Sequence, residues 1–383
     1  MNPTSILLSD PDITPAELEC VRAVLESPRL SAGPAVAEFE DAFASYLGRK
    51  HAIAVASGSM GMLLVLEACG LRDGDQVIAS PHSWRETAHA IILQGATPVF
   101  ADIDYWAGTL APDKAEARVT PKTRALIAGN TNGHPAPWAE FRELAERRGL
   151  ILIEDSTEAI GSVYRGSRVG TFGDCSVFDF SQPGPLVAGE GGMIVTDDDA
   201  VASKLRGLRS RQPGDRFSVV ASEIAPFQAA MSDLTAALGL AQLRRLEEIL
   251  ARRKRVEQRY FEYVKSFEGI KDPYIAPEVD EVHWFLYLVH LGTRFSRSSR
   301  DAIVEDLRTE RIESAPYSRP LHLQRRYFEL GFRRGDFLVT EKVADRAVAL
   351  PFHAHLDEAQ IAFIVGTMKD ASINVGAGSA IYL

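Results

Sequence analysis

The sequence predicts a wound α/β fold: a mostly parallel seven-stranded sheet flanked by helices, followed by a smaller C-terminal α/β domain. Three observations carry that expectation. Short apolar, β-branched runs recur, each followed by a segment with helical spacing, and strand–helix alternation is the signature of a wound sheet. The runs are continuously apolar, as suits strands buried on both faces of a parallel sheet. The chain of 383 residues is long enough for two packed units.

The strand candidates are His51–Val55, Gln76–Ala79, Thr97–Ala101, Ala125–Ala128, Leu150–Ile153, Cys175–Phe180 and Gly192–Thr196. Between them, Ser59–Ala68, Trp84–Leu93 and Trp138–Arg148 carry helix-period apolar spacing. The last two strands are joined by a stretch too short and glycine-rich for a crossover helix, so that pair is expected to be antiparallel. A long helix is expected from the Ser232 cap through Leu250 and into the charged Ala251–Glu257 stretch. Val282–Leu291 then reads as a strand, and Arg300–Thr309 and Glu358–Met368 as helices. The expected division is residues 1–250 for a large domain with the ligand site and 251–383 for a small one.

Apolar residues make up 46% of the chain and charged residues 25%, ordinary for a soluble enzyme. A net charge of −10 without a basic stripe argues against nucleic acid or an anionic membrane as partner. Three widely spaced cysteines match neither a disulfide framework nor a zinc spacing and fit a reducing compartment. With no signal-peptide pattern at Met1–Ser9 and no apolar stretch of about 20 residues, a cytoplasmic protein is expected.

Ligands of open α/β sheets sit beyond the carboxyl ends of the strands, and three such ends stand out. Val55 leads into Ala56-Ser57-Gly58-Ser59, a small-residue turn opening a helix, where amide groups and the helix dipole favour an anion such as phosphate. Ile153 leads into Glu154-Asp155-Ser156-Thr157-Glu158, whose acids could face a cationic ring nitrogen or a ligand hydroxyl, or simply cap and pair internally. Phe180 leads into Ser181-Gln182-Pro183-Gly184-Pro185, an irregular segment fixed by two prolines. Among the histidines His82, His89, His134 and His283, the one at a strand's end, His134, is the acid–base candidate.

In order and spacing, Leu30-Ser31-Ala32-Gly33-Pro34, Ser57-Gly58-Ser59, Gly95-Ala96-Thr97-Pro98-Val99-Phe100, Glu154-Asp155, Gly170-Thr171-Phe172-Gly173-Asp174, Gly189-Glu190-Gly191-Gly192-Met193 and Met231-Ser232 resemble the DegT family of sugar and cyclitol aminotransferases over nearly the whole chain. The resemblance implies fold type I architecture, a homodimer with shared active sites, and a keto-sugar or cyclitol substrate, often nucleotide-linked. It implies pyridoxal phosphate as cofactor, with Asp155 at its ring nitrogen, Trp84 stacked on the ring, Glu158 at the ring hydroxyl, and Gly58 and Ser59 at the phosphate.

The same resemblance marks departures. Counted back from Gly189-Glu190-Gly191-Gly192, the family's Schiff-base lysine falls on Gly184, which can form no imine and shuttle no proton. The family's phosphate-binding serine corresponds to Asp179. A serine hydrogen bond is worth about 1 kcal/mol net, whereas a carboxylate about 4 Å from a phosphate charge costs up to roughly 4 kcal/mol at an effective dielectric near 20. The family's Asn and Arg ahead of Met-Ser correspond to Gln228 and Ala230. Lysine-dependent transamination is therefore not expected, and any pyridoxal or pyridoxamine phosphate is expected to be held non-covalently, with His134 or Ser181 standing in as base. The alternatives are a cofactor-independent enzyme reusing the pocket for a polar or anionic metabolite, and a non-catalytic subunit paired with an active homologue. Arg206, Arg209, Arg211 and Arg216 read as a solvated helix end, with a nucleotide diphosphate as the other reading.

Overall fold

The apolar runs become β1 (His51–Val55), β2 (Gln76–Ala79), β3 (Thr97–Phe100), β4 (Thr123–Gly129), β5 (Ile151–Asp155), β8 (Cys175–Asp179) and β9 (Gly192–Thr196), with two short strands between, β6 (Val163–Tyr164) and β7 (Ser167–Arg168). The computed structural model describes residues 5–31, 33–210, 227–265, 270–271 and 273–380. The seven long strands form one sheet in the order β1-β9-β8-β5-β4-β2-β3. Four of its pairings are parallel, and β9 runs antiparallel to both β8 and β1. The expected antiparallel pair is thus present, because Ser181–Gly191 turns the chain straight back without a crossover.

The helices are α1 (Pro15–Leu25), α2 (Pro34–Leu47), α3 (Gly58–Ala68), α4 (Arg85–Leu93), α5 (Pro112–Glu116), α6 (Trp138–Arg148), α7 (Asp199–Arg209) and α8 (Asp233–Arg244). Helix α3 is apolar nearly all round and buries Met62, Leu64, Val65 and Leu66 against the sheet, as a fully enclosed helix must. Ser232 caps α8 as expected, its hydroxyl accepting from the Thr235 amide at 3.1 Å. The expected long helix, however, breaks at Arg245 before α9 (Leu246–Val264). Arg245 leaves helical geometry at φ −104°, ψ 3°, and its guanidinium pairs with Glu17 at 2.6 Å and Asp12 at 3.1 Å.

Beyond α9, β10 (Ile270–Lys271), β12 (Tyr287–Leu291), β13 (Ala315–Pro316) and β14 (Ala347–Leu350) form a second sheet in the order β10-β12-β14-β13. A third, small sheet pairs β11 (Val279–Glu281) with β6, which pairs in turn with β7. The remaining helices are α10 (Arg297–Thr309), α11 (Arg325–Phe328), α12 (Leu338–Ala344) and α13 (Glu358–Ala380). The strand expected over Val282–Leu291 is shorter than its apolar pattern because other groups satisfy the backbone ahead of it. Asn132 accepts from the Phe285 and Leu286 amides at 3.2 and 2.9 Å, and the Arg253 guanidinium donates to the Trp284 and Phe285 carbonyls at 2.8 Å. No described helix is long and apolar enough to cross a membrane.

Strand alternation sends the neighbouring acids Glu154 and Asp155 to opposite faces. Glu154 is fully buried and accepts six hydrogen bonds: from Asn130 Nδ2 (3.0 Å), Ser156 Oγ (2.9 Å), Ser176 Oγ (2.9 Å) and the amides of Gly170 (2.6 Å), Phe172 (2.9 Å) and Gly173 (3.2 Å). Asn130 passes the order on, accepting from Ala136 N at 2.9 Å and Trp138 Nε1 at 2.8 Å. Glu154→Gln sets an amide NH2 against donors it cannot accept from, and a loss of about 3 kcal/mol in unfolding free energy is expected. Urea titration followed by tryptophan fluorescence measures it, and an unchanged midpoint would show the network to be dispensable.

Candidate active site

Three strand ends meet at the C-terminal edge of the sheet. At the first, Ser57 caps α3, its hydroxyl accepting from the Met60 amide at 3.2 Å. The Gly58 amide, the next donor of this helix start, points at Asp179 Oδ2 at 2.7 Å. Asp179 ends β8, and its other oxygen accepts from the Ser181 amide at 2.8 Å and from the Ser181 hydroxyl. Gly192 makes the juxtaposition possible: a Cβ there would lie 2.6 Å from Gly58 N and 2.7 Å from Ser57 C. The small-residue turn thus holds an anion, and the anion is the chain's own carboxylate.

At the end of β5, Asp155 is 4% exposed. It accepts from Thr87 Oγ1 at 2.7 Å, Thr157 Oγ1 at 2.7 Å and Thr157 N at 3.2 Å, all neutral donors. Burial raises its pKa, the threonine donors pull back, and the charge on Asp179 adds to the rise. One turn on, Glu158 is buried and accepts from Asn132 N at 2.5 Å and Tyr317 Oη at 2.7 Å. Burial lifts its pKa to about 7 against the pull of these donors and of the Trp84 indole, with Asp155 adding to the lift. The edge of the Tyr317 ring faces His82, 5.5 Å between centroids. His82 is 2% exposed; Nδ1 bonds the Gly108 carbonyl at 3.0 Å, and Nε2 is buried without a partner. Burial lowers its pKa, which keeps the ring neutral.

These groups line two adjoining cavities, of about 680 and 320 Å3, which share Trp84, Glu86, Asp155, Thr157, Pro183 and Phe285. The wider one also carries His82, Glu158, Tyr317 and, on its exposed side, Arg85, Arg319 and Arg325. The narrower one carries Ser57, Gly58, Ser59, Asp179, Ser181 and Glu190. No lysine is among the described residues that line either cavity, and no group of metal-ligand type occurs among the described residues.

Gly58, Ser59, Trp84, Asp155, Glu158, Asp179 and Ser181, the residues singled out from the sequence, therefore converge. Three others do not line the cavities. His134 is buried away from them, Nδ1 against the Pro135 carbonyl at 2.8 Å and Nε2 accepting from the Ala276 amide at 3.1 Å. Gln228 is exposed at a left-handed φ of 52°. Gly184 lies one residue beyond the cavity-lining Pro183, and a Cβ there would sit 3.7 Å from the Phe285 ring, in ordinary contact. Of the histidines, His82 alone lines either of these two cavities; His89 is exposed and His283 lies beside Glu281 at 3.3 Å. Arg209 is tied to Glu40 and to the Ala54 carbonyl, while Arg211 and Arg216 lie outside the described residues. Tyr317, Phe285 and Arg319 were not legible as site residues, since they reach the site from a distant part of the chain. Thr87 and Thr157 flank Trp84 and Asp155, and that adjacency was the available signal.

The Glu158 proton couples the site to folding. The native state keeps it up to pH about 7, while the unfolded chain releases it near the ordinary value of 4.5. This contribution to stability is fully present below pH 4.5 and is lost as the pH rises to about 7; its size is on the order of 3 kcal/mol. Glu158→Gln, which cannot ionise, is expected to gain stability relative to the wild type by that amount between these pH values. Urea midpoints of both proteins across that range test it; parallel curves would mean Glu158 titrates normally.

Comparison with known proteins gives the site a context. Residues 11–369 match the DegT/DnrJ/EryC1/StrS aminotransferase family. GDP-perosamine synthase of Caulobacter vibrioides is 36% identical over 359 residues, 93% of this chain and 94% of that protein. The spore coat polysaccharide biosynthesis protein SpsC of Bacillus subtilis is 33% identical over 371 residues, 94% of this chain and 95% of that protein. Among solved structures, Spr1654 of Streptococcus pneumoniae in its PMP-form superposes with a TM-score of 0.92 at 25% identity, covering 98% of this chain and 100% of its own. Spr1654 is also known in a PLP-form. With its fold, its strand-end site and its near full-length match, the chain belongs to the DegT/DnrJ/EryC1/StrS aminotransferase family.

Proposed function

We propose that this chain acts on a keto-sugar or cyclitol-type substrate, nucleotide-linked at its far end, without a lysine-bound pyridoxal phosphate. One observation carries the reading: the carboxylate of Asp179 takes the Gly58 amide at the start of α3, in a cavity that no described lysine lines. The family's cofactor fits this site only in part. Its ring side would meet Asp155 and Trp84, both facing the shared part of the cavities. Its phosphate would need the cradle that Asp179 fills, where a Cβ on Gly58 would already lie 2.8 Å from the Asp179 carboxylate. Two anions at one helix start repel more than a single amide can offset, so the phosphorylated group does not fit. Gly184, at the position assigned to the family's lysine, supplies no anchor to compensate.

The remaining groups support proton transfer on a polyol. Glu158, with a pKa of about 7, is poised to give or take a proton near neutrality. Tyr317 holds its carboxyl in place through the 2.7 Å hydrogen bond. With Nδ1–H donating to the Gly108 carbonyl, the unpaired His82 Nε2 is left as a hydrogen-bond acceptor. Arg319 and Arg325 have no ion-pair partner among the described residues and border the wider cavity, where a diphosphate linker would find them. The relatives support the sugar class: one makes GDP-perosamine and another serves spore coat polysaccharide biosynthesis. A second reading, the pyridoxamine form held non-covalently, draws on Asp155 and Trp84 alone.

The first experiment is titration of the purified protein with pyridoxal phosphate and pyridoxamine phosphate, followed by absorbance and calorimetry. No imine band and no borohydride-fixed adduct are expected. A stoichiometric adduct on any lysine would overturn the proposal, and micromolar binding of the amine form alone would favour the second reading.

A further inference from the structure

Among the described residues that line the wider cavity, three carry a buried polar side-chain atom without a partner: His82 Nε2, Glu86 Oε2 and Ser318 Oγ. The His82 ring is fixed in place. Nδ1–H donates to the Gly108 carbonyl at 3.0 Å, the Tyr317 ring meets it edge-on, and Gly108 itself is so close that a Cβ there would lie 3.5 Å from Cε1. The Gly108 loop is pinned in turn, with Asp104 Oδ1 accepting from the Trp106 and Ala107 amides at 2.8 Å. Nε2 is therefore a preset acceptor on a residue only 2% exposed. Ser318 stands on the loop that docks beside this histidine, where the Leu321 amide donates to the Pro81 carbonyl at 2.8 Å. Its backbone is left-handed at φ 57°, a costly conformation for serine that persists only where the surroundings impose it. Arg85 reaches Glu86 Oε1 at 2.8 Å and leaves Oε2 unfilled. Buried polar atoms left unpaired cost stability, and three around one cavity mark hydrogen bonds kept for a ligand.

We propose that His82 and Ser318 read ring hydroxyls of the substrate, so that this chain takes a fully hydroxylated sugar and rejects a deoxygenated one. His82 Nε2 and Glu86 Oε2 only accept, and the Ser318 hydroxyl gives or takes. A ligand hydroxyl supplies the missing proton, whereas a methylene or a carbonyl oxygen at the same place leaves the acceptor unfilled. Arg319, the next residue after Ser318, lines the same cavity on its exposed side, so one loop meets both the hydroxyls and the linker. The inference rests on the proposed sugar function and names the feature by which that substrate is chosen.

Calorimetry on the intact protein tests it. The parent probe is whichever of GDP-mannose and UDP-glucose binds more tightly, and its 2-deoxy, 3-deoxy and 6-deoxy analogues are compared with it. At least one analogue is expected to bind roughly tenfold or more weakly than the parent. His82→Asn keeps an amide donor for the Gly108 carbonyl where Nδ1 stands and has no atom at Nε2. It is expected to weaken the parent to the level of that analogue and to leave the analogue unchanged, and Ser318→Ala is expected to weaken the parent likewise. Equal binding of the parent and every analogue would overturn the proposal. So would a His82→Asn protein that weakens parent and analogues alike, as a merely structural histidine would, or no binding by either parent. Equal binding without an imine on pyridoxal phosphate leaves the proposed function standing, whereas an imine overturns that function first.

Discussion

The six-donor carboxylate of Glu154 is the constraint on which the site depends. It gathers the loop 170–173, the end of β4 at Asn130 and the neighbouring strand at Ser176 around one buried charge. A buried carboxylate is tolerated only when its lone pairs are filled, and here local amides and hydroxyls fill them without a counter-cation. Because a strand alternates, fixing Glu154 on one face fixes Asp155 on the other, against Thr87 and Thr157. The cavity-lining acid is aimed by the structural one.

The second theme is charge placed where an anion would be expected. A helix start attracts negative charge whatever its source, and Asp179 supplies it from within the chain. This stabilises the turn between β1 and α3 and occupies the Gly58 amide. The stability of the turn and the charge of the chamber thus trace to the same carboxylate, held by the 2.7 Å hydrogen bond from Gly58. The field of the narrower chamber becomes negative, while the arginines at the wider mouth keep the opposite sign, so the pocket is polarised along its length.

Much of this was legible in the sequence, for identifiable reasons. The continuous apolar runs gave the seven strands to within two residues at either end, because strands buried on both faces leave no polar interruption. Gly58, Ser59, Asp155, Glu158, Asp179 and Ser181 were readable because strand ends carry ligand residues and lie close to the runs that define them. What periodicity could not give was the break at Arg245, where distant Asp12 and Glu17 compete for the guanidinium, or the shortened strand before Tyr287, where Asn132 and Arg253 replace the ladder. His134 sat at a strand end as a candidate should, yet backbone groups claim both of its nitrogens, and such claims depend on tertiary neighbours. Tyr317 and Phe285 come to the cavities through the second sheet, which one-dimensional spacing does not reveal.

Arg253, in the middle of α9, is buried with its guanidinium spread over the carbonyls of Trp284, Phe285 and Phe352 and stacked 4.4 Å from the Phe352 ring. Burial without a carboxylate partner lowers its pKa to about 9. Its consequence lies on the far side of the wall: Phe285, which borders both cavities, is clamped at its amide by Asn132 and at its carbonyl by Arg253. A wall held from behind in this way is preorganised, so a well-shaped ligand loses little entropy ordering it and a poorly shaped one cannot push it aside. Discrimination among ligands then depends partly on a residue that lines neither cavity.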